Sequence, residues 1–515
     1  MRPTFLGFET QKRTLQIAQK NLDIAGNNLS NVNTIGYTRQ RVDIYAEYIS
    51  GNQSLRWCTN RNNMSLTGQG VAMNGVAQLR DIYVDKRYRE NVAVESETEK
   101  TIEIMSEVED VLDNIDSDGL QYFTEQFYKS LHDYSVERPD SSDVATIACN
   151  SAVNLCRLLN EYSAELKQVE ETYAIELCDT VDYVNGIFEE INTLNDRIAK
   201  ELINYPEEYG PNELYDQLNL YIDELADYGD IDVTKNTHGT YSISMAGVQV
   251  VDGIGFKTNR LVMQDYETYG QAVVKFESGP KLNCGAGILK SYFDTLNGNG
   301  VYATGDQNKE YGIAYFKSAL DEYARTFAET LNNGNGAAED PTRAMFEAGD
   351  GSGFITAGNI HVTDKWIQDP TMIGQVRKVE PTTGEEYYGW DEVTDEFGNV
   401  TLQNSNVLYL ISQFKNTDIK FGKAHDFQGG FYDYIKFMST RLAETISYET
   451  SRYDTAVTAV DTLLDARDEV SGVNMDEEGI NMLNYQKWYN ASSRMLTTLD
   501  EALDKLINST GRVGL

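Results

Sequence analysis

The chain has 515 residues, a formal net charge of −38 and 41% hydrophobic residues, too long for one compact core and apolar enough to fill several. So acidic a balance argues against nucleic acid as a partner, because the phosphate backbone repels it. No run approaches the ~20 apolar residues of a membrane span, and after Arg2 the chain enters an amphipathic pattern rather than the apolar stretch of a cleaved signal peptide; the residues alone predict a cytoplasmic protein without membrane insertion.

In chain order, the first signal is an apolar repeat. Phe8, Leu15, Leu22 and Leu29 recur every seventh residue, with Ala18, Ala25 and Val32 on the adjoining row. Such a repeat marks the seam of a coiled coil, so residues 5–32 are predicted helical. A polar, strand-like stretch follows to about residue 80, then helical patterning resumes at residue 82 and breaks at DNIDSDG. A further helix is expected from near Leu120 to before Pro139. The longest seam runs through Leu159, Tyr162, Leu166, Val169 and Tyr173, then past a four-residue stutter at Leu177 through Val181, Val184, Phe188, Ile191 and Ile198. A stutter unwinds a supercoil locally without ending it. Pro206 and Pro211 stop the pattern, and Leu214 to Leu225 is a short helix beyond them.

The character then changes. Residues 229–283 carry Gly, Thr, Tyr and Val with alternation such as TYSISMAGVQVV, which predicts a small β-rich domain. Helix returns from about 310 to 332, and residues 333–424 read as a second, mixed β-rich insertion with Gly-rich turns and three prolines. A helix through Ile435, Met438, Leu442 and Ile446 stops at Gly472. Asn474 is placed to cap the final helix, with Glu477 three residues on. That helix repeats the opening theme: Met475, Met482, Tyr489, Leu496 and Leu503 at sevenfold spacing, flanked by Tyr485, Leu499 and Leu506.

The predicted fold is mainly α with β insertions: a long coiled-coil frame formed by the N- and C-terminal regions, with small β-rich modules inserted in the middle. The expected organisation is a terminal assembly domain (1–45 and 470–515), a helical bundle (46–228, 284–332 and 425–469), a β-rich domain (229–283) and a variable module (333–424). Residues 1–45 carry a net +3 and residues 470–515 a net −2, so the middle holds −39. Ends destined for burial against other subunits should be nearly neutral, since unpaired buried charge is costly. An acidic solubilising exterior accounts for the same distribution. Burying one terminal seam offsets only part of the backbone entropy lost on ordering it. Both ends are therefore expected to depend on subunit contact.

Chemical motifs are sparse. Asn114, Asp116, Asp118, Gly119 and Glu125 fall at positions 1, 3, 5, 6 and 12 of an EF-hand calcium loop, though with Asn at position 1. A helix stop followed by Asp118 capping a new helix accounts for the same residues. His132, His238, His361 and His425 are scattered, without metal-ligand spacing. GDGSGF at 349–354 lacks the Lys and Ser/Thr of a phosphate loop. Nothing here calls for a cofactor or an enzyme. Cys58, Cys149, Cys156, Cys178 and Cys284 form no CxxC pair and read as ordinary buried thiols.

The most specific local signal is NNLSNVNTIGYTRQ, Asn27 to Gln40, whose Asn, Ser and Gly residues stop a helix and hold turns. It resembles the N-terminal pattern of the rod, hook and hook-associated proteins of the bacterial flagellum. SGVNMDEEGINMLNYQKWYNASSRMLTTLDE resembles the matching terminal motif of the hook-associated members, and DSDGLQYFTEQFYKSLHDYS, INTLNDRI, NELYDQLNLYIDELADY and YFKSALDEYARTFAETLNN also look like that branch. The likeness covers roughly residues 1–230, 284–332 and 425–515 and fades in the insertions. It implies a structural subunit that joins hook to filament, extracellular and exported without a cleaved signal, against the cytoplasmic reading above. It further implies a homo-oligomeric ring contacting the hook protein and the next junction protein, with an export chaperone as partner. The residues singled out for assembly are seam positions Leu15, Leu22, Leu29, Met482, Tyr485, Tyr489, Leu496, Leu499 and Leu503 and turn residues Asn27, Asn28, Asn31, Asn33 and Gly36. The alternatives are a distal rod or hook subunit or, from another class, a secreted calcium-dependent adhesin or a hydrolase housed in residues 333–424.

Overall fold

The computed structural model describes residues 6–46, 70–113, 119–204, 210–264, 266, 270–305, 307–380, 386–394, 400–422 and 427–509. Two compact units result. One comprises Met1–Ala93, Val184–Arg260 and Ala456–Leu515, the other Val94–Tyr183 and Leu261–Thr455. Three helices, Ile82–Asp113, Ser142–Asn204 and Phe431–Ser471, contribute residues to each.

The first unit holds both chain ends. Helix Leu6–Ser30 is followed by strands Gln40–Ala46 and Val71–Gln78, an antiparallel hairpin with a bulge between Asp43 and Ile44. Ile24 packs on Val42 and Val76 of that hairpin. Gln78 docks it on helix Asn212–Tyr228, its amide donating to the Asn212 carbonyl (3.0 Å) and to Asp216 Oδ1 (2.8 Å). A four-stranded antiparallel sheet, Ile231 to Thr258, follows the short helix directly. Its central hairpin turns at Ala246 (φ 49°) and Gly247 (φ 77°), a two-residue turn with both positions left-handed whose twist matches the strands.

The second unit has an aromatic core. Phe127, Phe327, Phe346, Trp366, Phe414 and Phe431 form an edge-to-face chain with ring centroids 5.1–6.4 Å apart. Phe127 lies on helix Leu120–Val136, Phe327 on helix Ile313–Gly334 and Phe431 at the start of helix Phe431–Ser471. Phe346, Trp366 and Phe414 come from the 333–424 stretch, which thus supplies part of the bundle's own core. Glu97, 3% exposed, is held by Lys290 (2.6 Å) and Arg452 (3.2 Å).

The long seam is continuous. In helix Ser142–Asn204, Leu159, Leu166, Leu177, Val184, Phe188, Ile191 and Ile198 are fully buried across the stutter. Cys149, Cys156 and Cys284 are buried, but Cys178 is exposed, because it follows Leu177 onto the helix's outer face; Cys58 lies outside the described residues. Among those residues no helix is long and apolar enough to cross a membrane.

Candidate assembly site

The two terminal helices pair with each other, and the polar turn after the first holds them together. Gly7 lies against Leu499, and Asn28 bonds Glu478, so helices Leu6–Ser30 and Met475–Asp504 run antiparallel. The seam of the second presents two rows, Glu478, Tyr485, Ser492 and Leu499, and Met482, Tyr489, Leu496 and Leu503. Glu478 and Ser492 are buried; Tyr485, Tyr489, Leu496, Leu499 and Leu503 are half-buried, and Met482 is 38% exposed. On the first helix the buried positions are Ile17, Ala18, Asn21, Ile24, Ala25 and Asn28, while Leu15, Leu22 and Leu29 sit half-buried on the flank. Small residues on the deepest row let backbones approach closely.

The turn is a hydrogen-bond knot. Asn28, 1% exposed, uses its whole side chain. Its Oδ1 accepts from the Gln40 amide (3.0 Å) and the Tyr37 hydroxyl (2.8 Å), and its Nδ2 donates to the Gln40 carbonyl (2.9 Å) and Glu478 Oε2 (3.3 Å). Four satisfied bonds at a buried amide are what a polar group needs to be tolerated there. Asn31 donates back to the Asn27 carbonyl (2.9 Å), and Asn27 to the Tyr37 hydroxyl (3.3 Å). Asn33 is exposed. Gly36 has φ +79°, the left-handed region that favours glycine, and a Cβ there would also displace the exposed Leu220 side chain.

Arg39 closes the site. It contacts Glu478 at 2.6 Å and Glu477 at 3.1 Å, and its backbone amide donates to the Ser471 carbonyl (2.8 Å). Glu478 is 3% exposed. Asn474 caps the helix by accepting from the Asp476 and Glu477 amides, as its spacing predicts. Tyr37, Arg39 and Glu478 were not among the sequence-predicted site residues. An acid on a seam row was the available signal, since it demands a buried cation.

Beside this knot, Asp216 is 7% exposed, with Oδ1 on Gln78 and Oδ2 lacking a well-formed hydrogen bond. Burial raises its pKa to about 6 against the pull of Thr38 and Arg80. The unfolded chain releases this proton near pH 3.8. Folding therefore takes up a proton between those values. The resulting stabilisation is complete below pH 3.8 and is lost as pH rises through 6. Asp216→Asn should stabilise the first unit at pH 7.5 by roughly 2 kcal/mol and flatten its stability between pH 4 and 7. Urea unfolding across that range checks it; an unchanged slope refutes it.

Of the calcium-loop candidate, Asn114, Asp116 and Asp118 lie outside the described residues. Gly119 takes the N-cap position of the next helix, and Glu125 pairs with Lys129 (2.9 Å). Among the described residues no group of three or more His, Cys, Asp or Glu side chains is arranged to hold a metal.

Paired termini around a polar lock, on a helical frame with β insertions, define an assembly subunit. Three family models match in chain order: "Flagella basal body rod protein" over residues 8–38, "Flagellar hook-associated protein FlgK helical domain" over 105–342, and "Flagellar basal body rod FlgEFG protein C-terminal" over 457–509. The chain is 28% identical to flagellar hook-associated protein 1 of Bacillus subtilis, aligned over 99% of both, and 25% identical to that of Escherichia coli over 96% of this chain and 98% of the relative. Its fold matches the flagellar hook junction protein FlgK of Burkholderia pseudomallei with a TM-score of 0.56 at 12% identity, over 75% of this chain and all of that one. Along nearly its whole length the chain is similar to flagellar hook-associated proteins, which are structural components of the flagellum.

Proposed function

We propose that this chain forms the junction between flagellar hook and filament as a ring of identical subunits, seated between the hook protein and the next junction protein. It reaches that place outside the cell through the flagellar export channel without a cleaved signal, accompanied by a chaperone. The observation that carries the assembly reading is the C-terminal helix: Ile480, Leu483, Trp488 and Met495 are 49–60% exposed on a helix whose buried residues are only Glu478 and Ser492. An apolar face of that kind marks an interaction surface, and a seven-residue seam with one partner helix leaves flanking rows for others. The coiled frame and the VNMDEE entry to the last helix favour a junction subunit over a rod or hook subunit.

Replacing Leu22 and Leu29 by Asp places two charges on the terminal pair's flank and should abolish swimming while the second unit stays folded. Motility assays and circular dichroism read the two arms. Normal swimming in that variant refutes the reading, as would intact filaments in a strain lacking the gene, where bare hooks shedding flagellin are expected.

A further inference from the structure

The first unit carries a groove of about 530 Å³ between the hairpin, helix Asn212–Tyr228 and the small sheet, and four cations line it: Arg80, Lys86, Arg89 and Lys235. Asp85 and Asp232 line it as well, so the cations outnumber the lining carboxylates four to two. The four divide into two kinds. Arg80 is committed to Asp85 (2.9 Å) and Arg89 to Asp223 (2.7 Å), inside the unit. Among the described residues Lys86 meets only Asp232, at 3.3 Å and with both side chains more than half exposed, a pair worth little. Lys235 has no carboxylate partner among the described residues; its ammonium lies 4.8 Å from the Tyr215 ring and 5.4 Å from the Tyr241 ring, an attraction that leaves its outer hemisphere for another anion. Ile82 of the groove and its neighbour Tyr83 are 74% and 81% exposed. An open groove with two exposed lysines beside an apolar rim suits a protein surface better than a small anion.

We infer that this groove receives the acidic exterior of a second copy of the chain. The inference rests on the ring assembly proposed above and deepens it. Copies this acidic repel one another at long range, so close packing needs a local patch of opposite sign to fix the register. Within the described first unit, Lys86 and Lys235 supply such a patch, and carboxylates abound elsewhere on the same chain. Nucleic acid is disfavoured as occupant by the overall charge.

The test places a photo-cross-linking phenylalanine analogue at Tyr83 of the full chain, in a motile host lacking its own copy, and irradiates isolated flagella. A covalent dimer of this chain is expected, its second peptide rich in Asp and Glu. Lys86→Glu with Lys235→Glu should cut the dimer yield about tenfold, and the Lys→Arg pair should retain it. Failure of the dimer to form in flagella that contain the chain, a cross-link to a different flagellar protein, or a yield indifferent to charge reversal overturns the groove assignment. Flagella lacking the wild-type chain altogether would overturn the ring reading, and this inference with it.

Discussion

Arg39→Ala is expected to unfasten the chain's two ends. The substitution removes both guanidinium contacts to Glu478, 2.6 and 2.9 Å long, and leaves a carboxylate that is 3% exposed and that, among the described residues, keeps only the amides of Asn28 and Asn481. Stripping one partner from a buried ion pair costs ~3–5 kcal/mol, because the survivor keeps its desolvation penalty. This ion pair joins the turn to the last helix, so the loss falls on the pairing of Leu6–Ser30 with Met475–Asp504. Amide exchange in both helices should accelerate by about two orders of magnitude or more, at ~1.4 kcal/mol per factor of ten, while the aromatic core of the second unit stays protected. Arg39→Met with Glu478→Met should recover most of the protection, since removing both charges removes the penalty. Exchange indistinguishable from wild type in Arg39→Ala would show that the lock carries no weight. Unaltered protection of both terminal helices in the dilute wild-type monomer, at the level of the core, would likewise show that the ends need no neighbour.

Arg467→Ala should destabilise the first unit by ~2–4 kcal/mol. Arg467 ends the run of charge from helix Phe431–Ser471, reaching Asp85 (2.9 Å) and Asp223 (2.6 Å) with different nitrogens of one guanidinium. Arg80 and Arg89 flank it on the same two carboxylates, giving three cations to two anions in one buried chain. Burial, which disfavours the charged forms, is outweighed: the Arg467 pKa is raised by Asp223 and Asp85, and that of Asp85 is lowered by Arg80, Arg467 and Arg89. Asp85 thus adds stability that is present above pH 3.8 and lost as pH falls below it, opposite in sign to Asp216. Arg467→Lys should fail to restore the loss, because an ammonium cannot span two carboxylates as a planar fork does. A double-mutant cycle with Asp223→Asn should return a coupling above about 1 kcal/mol. Urea unfolding of Arg467→Ala within about 0.5 kcal/mol of wild type, the scatter of ordinary surface changes, would remove the network from the account.

Much of the frame was legible because helical periodicity is local. The seam from Leu159 to Ile198 is buried almost position for position, Asn474 caps the last helix, and TYSISMAGVQVV folds as strands Tyr241–Met245 and Val248–Asp252 around a two-residue turn. The turn residues were visible too, since a run of asparagines and a glycine has few other uses. The sevenfold apolar repeat points to Leu15, Leu22 and Leu29. The depth of the terminal contact instead belongs to Ala18, Asn21, Ala25 and Asn28, because a hairpin and a second helix share the N-terminal helix and close approach favours small side chains. The 333–424 stretch read as a separate module because Gly-rich turns punctuate it, yet Phe346, Trp366 and Phe414 pack on Phe127 and Phe327.

By itself the sequence determined the helices, their ends, their apolar stripes and the unusual neutrality of the termini, since each depends on residues a few positions apart. Only the tertiary structure decided that Asn28 and Arg39 meet Glu478 some 440 residues away, and that Arg467 joins Asp85 to Asp223. No spacing rule links such residues. A charge finds its partner through the burial that the surrounding fold imposes, and that burial is a property of the whole chain.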